Sequence, residues 1–178
     1  MTRQIALLRG INIGPRNRIA MPKLRESLAR AGFDDVQTYV QSGNILLSSS
    51  VPPGEVAGEI ERLIARDFKL DIQVIARTRA ELAEVVRRNP LGDVAVNPKR
   101  YQVTFLASEP DPEVLPRLEA AALPTERMVP DGREIYAWHP EGVARSKLWA
   151  LLAGPLLGVP ATSRNWTTVT SLLELAGA

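Results

Sequence analysis

Apolar residues recur along this chain with two periods, and the switches between them mark out its elements. Ile5-Ala6-Leu7-Leu8 is a continuous apolar run and reads as a buried strand. Pro22 stands where a first helical residue would. Leu24, Leu28 and Ala31 share one face and Gly32 is a stop, so a helix is predicted over about 22–31. From Val36 to Gln41 the pattern has period two. Ser42-Gly43-Asn44 is a turn signal, and Ile45-Leu46-Leu47-Ser48 resumes as a strand, completing a hairpin. After the break at Pro52-Pro53-Gly54, residues Val56, Ile60, Leu63, Ile64 and Phe68 fall at helical spacing, predicting a helix over 55–68. Ile72-Gln73-Val74-Ile75 is a strand. The order is βαββαβ, which is ferredoxin-like.

Thr78-Arg79-Ala80-Glu81 is a capping box, a hydroxyl at the cap with a glutamate three residues on. It opens a helix with Leu82, Val85 and Val86 inward, ending near Arg88. Residues 89–99 are rich in turn formers and read as a linker. The second half echoes the first more weakly. It has a strand from Tyr101 to Ala107, a helical segment from Asp111 to about Ala122 despite Pro116, and a hairpin turning at Asp131-Gly132. A helix follows from Ser146 to about Leu152, is interrupted at Gly154-Pro155, and a final helix runs from about Trp166 to Ala176. The expected fold class is α+β. A ferredoxin-like subdomain (1–88) is followed by the linker and by a second βαββα-type α+β subdomain (100–178), ending in C-terminal helices and packed against the first.

This topology has a consequence for the polar loops. The third strand lies beside the first in that fold, so the loop Arg9-Gly10-Ile11-Asn12-Ile13-Gly14-Pro15-Arg16-Asn17-Arg18 and the turn Ser42-Gly43-Asn44 are expected at one edge of the sheet. Gly10 and Gly14 would let backbone N–H groups approach an anion, beside the positive end of the first helix. Arg9 and Arg18 would supply charge, and Asn12, Asn17, Gln41, Ser42 and Asn44 neutral hydrogen bonds. The plainer reading is that these glycines and asparagines only shape turns. The loop has neither the glycine frame of a dinucleotide fingerprint nor the Gly-Lys-Ser/Thr of a P-loop. A second marked stretch, Ser163-Arg164-Asn165-Trp166-Thr167-Thr168, is placed at the start of the last helix. Either it caps and anchors that helix, or Arg164 and Asn165 face a ligand with Trp166 as a stacking surface.

Composition narrows the chemistry. The absence of cysteine removes disulfides, thiolate catalysis, thiolate zinc sites and iron–sulfur clusters. One histidine, His139, excludes a His-rich metal site, and no carboxylates stand at a recognisable catalytic spacing; Asp34-Asp35 suit a turn. No metal is expected and no cofactor can be named. No run approaches the ~20 apolar residues of a membrane span, and the N-terminus does not resemble a leader, so a soluble cytoplasmic protein is expected. Residues 1–30 hold seven bases (Arg3, Arg9, Arg16, Arg18, Lys23, Arg25, Arg30) against one acid, Glu26. That excess attracts phosphate, or is simply solvated in a chain where arginine outnumbers lysine 18 to 4.

Leu7-Leu8-Arg9-Gly10-Ile11-Asn12-Ile13-Gly14, Gly32-Phe33, Thr38-Tyr39-Val40-Gln41-Ser42-Gly43-Asn44 and Arg164-Asn165-Trp166-Thr167-Thr168-Val169 together resemble a bacterial family known only as a domain of unknown function. The chain departs from it at Pro15-Arg16, where many members carry a glycine and then a lysine. The resemblance implies a soluble bacterial α+β protein and brings no activity with it. Three functions stand open. The first is a binding module for a phosphate-bearing small molecule or nucleic acid. The second is an enzyme on a small anionic metabolite, with a carboxylate, Tyr39 or His139 as base. The third is an oligomerising or structural protein. With three each of Trp, Tyr and Phe, a broad stacking platform for single strands is not expected.

Overall fold

A computed structural model describes residues 1–177. The first seven elements are β1 (Thr2–Leu8), α1 (Met21–Arg30), β2 (Asp34–Tyr39), β3 (Asn44–Ser49), α2 (Pro53–Phe68), β4 (Val74–Thr78) and α3 (Arg79–Arg88). The next seven are β5 (Tyr101–Leu106), α4 (Val114–Ala121), β6 (Arg127–Asp131), β7 (Glu134–Trp138), α5 (Lys147–Leu152), β8 (Ala161–Asn165) and α6 (Trp166–Gly177). The strands form two antiparallel sheets of four, in the orders β2-β3-β1-β4 and β6-β7-β5-β8. The described chain divides into two compact units, Met1–Ala83 with Leu172 onward, and Glu84–Ser171. Among the described residues no helix is long and apolar enough to cross a membrane, and no group of three or more His, Asp or Glu could hold a metal ion.

In the first unit, Pro22 in the first turn of α1 and Pro53 opening α2 occupy positions where a missing N–H costs nothing. Leu24 and Leu28 of α1 meet Val56, Ile60, Leu63 and Ile64 of α2 over Ala6, Leu8, Ile45, Leu47, Val74 and Ala76 of the sheet. Each leucine, isoleucine or valine among them contributes roughly 1.5–3 kcal/mol by leaving water. The outer edge strand β2 carries a bulge between Asp34 and Gln37, with Asp35 at φ 50°, which discourages pairing with another chain.

The second unit is a fuller repeat than the sequence pattern shows. An eighth strand, β8, completes βαββαβ and lies beside β5, as β4 lies beside β1. Ser163 and Arg164 therefore stand in a strand, and Asn165, its last residue, caps the helix that Trp166 opens. Ala-Thr-Ser-Arg-Asn has no apolar alternation to announce it; pairing with β5 and a Thr104–Ser163 hydroxyl bond of 2.7 Å define it. Equivalent residues recur where the two edge strands end. Arg77 opposite Ile5 precedes Thr78, and Arg164 opposite Val103 precedes Asn165. Thr78 and Glu81 exchange both capping-box bonds, at 3.1 and 2.8 Å, and Asn165 Oδ1 accepts the Thr168 N–H at 2.9 Å. Trp166 stacks on Tyr101 with ring centroids 4.7 Å apart. Burial raises the Tyr101 hydroxyl to about 12.

His139 is fully buried in this unit. Its Nδ1 meets Glu126 Oε2, and the Ser146 hydroxyl donates to the same carboxylate at 2.6 Å. Ser146 also accepts the Trp149 N–H at 3.0 Å, capping α5. Serine and acid thus sit on one side of the ring and Nε2 has no partner, which is not the relay of a hydrolytic triad. A base sealed from solvent cannot reach a substrate, so His139 is a core residue.

Two outcomes follow from these contacts. Gly43 lies at φ +88°, and a Cβ there would stand 2.7 Å from Leu8 Cβ and 2.9 Å from Ile11 Cδ1. Gly43→Ala is expected to cost about 3 kcal/mol in urea unfolding, from overpacking and left-handed strain. Burial alone would push the Glu126 carboxyl up. Bonds from the Leu123 N–H, Ser146 and His139 outweigh that and hold it below its ordinary 4.5. The stability it contributes is therefore full above pH 4.5 and lost as pH falls through the lower folded value. The stability difference between wild type and Glu126→Gln, measured by denaturation from pH 7 downward, should shrink in that acid range.

Candidate functional site

The glycine loop and the hairpin turn meet at one edge of the first sheet, and the backbone brings them together. Leu7 pairs with Asn44, and the Leu8 N–H donates to Gly43 O at 2.8 Å. The Arg9 N–H donates to Gln73 O at 2.9 Å, tying in the approach to β4. Gly10, Asn12, Asn17, Val40 and Gly43 all have positive φ. Gly14 does not, and open space surrounds the position of a Cβ there, so its glycine is not required by backbone shape.

Asn12 closes this arrangement. Its Oδ1 accepts the Ile19 N–H at 2.9 Å and its Nδ2 donates back to Ile19 O at 2.9 Å, so one side chain imitates a pair of strand bonds across the loop. The second Nδ2 proton goes to Gln41 O at 2.7 Å, joining the loop to the turn. Asn44 acts from the other side. Fully buried, it donates to Tyr39 O and to Ser42 Oγ, both at 3.0 Å. The carbonyls gripped by Asn12 and Asn44 flank Val40. A β-branched residue at φ 52° costs roughly 1–2 kcal/mol, and it persists because both neighbours are held.

The eleven candidates thus sort by what their side chains already do. Asn12 and Asn44 are clamps, with their amides committed to the protein. Ser42 accepts from Asn44, and Arg9 donates to Gln73 Oε1 at 3.3 Å. Gly10 is exposed and shapes the loop. Arg164 is buried in β8 of the other unit, donating to Thr162 Oγ1 and Ser163 O at 2.8 Å each, and burial lowers its guanidinium to about 10. Asn165 caps α6. The side chains of Asn17, Arg18 and Gln41 form no hydrogen bond or ion pair with the rest of the described protein.

Arg18 and Gln41 line an open cleft of about 470 Å³, together with Asn12, Ile19, Ala20, Lys23 and Phe68. Lys23 and Phe68 were not singled out by any sequence motif. Lys23 is exposed in the first turn of α1, where no side chain caps the helix and no acid stands, so the positive helix end opens on this cleft. Phe68, half-buried at the end of α2, packs against the core. Its apolar periodicity marks it as core and says nothing of the cleft. Asn12→Asp would set a carboxylate oxygen against the carbonyls of Ile19 and Gln41. It is expected to cost about 2–4 kcal/mol in urea unfolding.

A solved structure, the conserved bacterial protein SP0830 from Streptococcus pneumoniae, superposes with a TM-score of 0.80 at 23% identity, covering 98% of each chain. This establishes a shared fold. A search of curated proteins finds no match. The model of the family described as "Protein of unknown function (DUF1697)" matches residues 1–136, and the chain belongs to that family.

Proposed function

We propose that the protein binds a phosphate-bearing ligand in the cleft at the loop edge of the first sheet. The observation that carries this reading is the unengaged set Arg18, Lys23 and Gln41 around about 470 Å³ of open space. Two cations beside a helix start with no acid in its first turn favour an anion by their charge and by the positive end of the helix.

The second unit supplies an internal comparison. It has the same topology, and Leu106 N–H donates to Arg133 O at 2.9 Å where Leu8 donates to Gly43. Yet the loop after β5, Ala107–Glu113, carries Glu109, Asp111 and Glu113 and no base. Bases do stand nearby, with Arg133 at the turn and Arg117 in the first turn of α4, but arginine-rich composition alone would not give one loop three bases and no acid and the other three acids and no base. The asymmetry supports a role for the first corner that the second does not share.

Calorimetric titration of the full chain with inorganic phosphate, ribose 5-phosphate, nucleoside monophosphates and a 12-nucleotide RNA tests this. Binding of at least one is expected, with Arg18→Ala and Lys23→Ala each weakening it about tenfold, or ~1.4 kcal/mol. Silence from the whole panel, or variants that bind like wild type, would sink the proposal.

A further inference from the structure

We infer that the cleft takes a single nucleoside monophosphate and not a polynucleotide. This deepens the phosphate-binding proposal and rests on it.

The seven bases of residues 1–30 look like a polyanion track in the sequence but do not make one. Arg3, bonded to Asp35 O at 2.6 Å, stands at the start of β1, and Arg30, 3.9 Å from Glu26, closes α1, both at the sheet edge away from the loop. Arg9 and Arg25 turn to Gln73 and, at 2.5 Å, to Thr38 Oγ1, so the charges are dispersed and not aligned along one groove. Only Arg16, Arg18 and Lys23 remain without such a partner among the described residues. A polynucleotide gains its affinity by neutralising successive phosphates along a groove. Here two unengaged cations line one cleft, which suits one phosphate.

The rest of the cleft is of a different kind. Half-buried Phe68 gives it an apolar wall over buried Ile19, and a planar base is a chemical group that covers such a surface well. Gln41 offers an amide donor and acceptor side by side, unengaged by the protein, able to read the edge of a base bidentately. The volume falls in the range of small-molecule sites, ~300–1,000 Å³. A cationic end, an apolar wall and one amide match the phosphate, ring and polar edge of a nucleotide.

The test is calorimetry on the full chain with AMP, GMP, CMP, UMP, ribose 5-phosphate and a 12-nucleotide RNA. At least one monophosphate should bind tenfold or more tightly than ribose 5-phosphate. Phe68→Leu and Gln41→Ala should each shrink that advantage, while Arg18→Ala weakens both ligands together. Gln41 is exposed, so its variant reads the site even if Phe68→Leu perturbs α2. Equal binding of ribose 5-phosphate and every monophosphate overturns the nucleotide assignment and leaves the phosphate site standing. RNA binding tenfold tighter than any monophosphate, with a steep loss in salt, overturns it in favour of a polynucleotide. No binding by any of these compounds overturns both readings.

Discussion

The side-chain amide of Asn12 is the contact on which the candidate site depends. It spans its own loop through Ile19 and reaches the neighbouring turn through Gln41. Three bonds from one short side chain set two irregular segments in register, where backbone alone would leave several polar groups without partners. Asn44 does the same work from the buried side. Between them the strained backbone at Val40 is held, and the Gln41 side chain is left outward at the cleft. The cost of left-handed backbone at several neighbouring positions is met by this shared network, so the edge is built as one piece and not as two flexible loops.

This changes what the family-resembling motifs mean. The asparagines that look like ligand-binding groups hold the loops, and the polar groups left open at the cleft are less conspicuous. Arg18, Lys23 and Gln41 stand out only once the bonding partners of every neighbour are known. The same sorting applies to charge. Four of the seven N-terminal bases are engaged at scattered points of the unit, and what remains is local. The second unit reinforces the contrast, since the loop at the same topological place, Ala107–Glu113, carries three acids and no base.

Where one residue's neighbours in sequence are also its partners, the sequence was a sufficient guide. The capping box at Thr78 and Glu81, the serine cap of α5 and the apolar faces of α1 and α2 are interactions within a few residues, and their patterns are visible in one dimension. The meeting of the loop and the turn was also legible, because strand order follows from βαββαβ. β8 was not, since a short polar strand owes its state to β5, which lies about sixty residues earlier. His139 drew attention as the lone histidine, while the carboxylate that buries it lies 13 residues upstream without any motif.

By itself, then, the sequence determined the order of elements apart from β8, the absence of thiol chemistry, the edge at which the polar loops gather and the excess of positive charge near it. The tertiary structure alone decided which of those polar groups are satisfied and which remain open. The reason is saturation: each amide or guanidinium has a few bonding positions, and whether they are filled depends on carbonyls supplied from other strands and loops. Asn12 and Arg18 are six residues apart in one loop. One is closed by Ile19 and Gln41, and the other lines a cleft with no partner in the described protein.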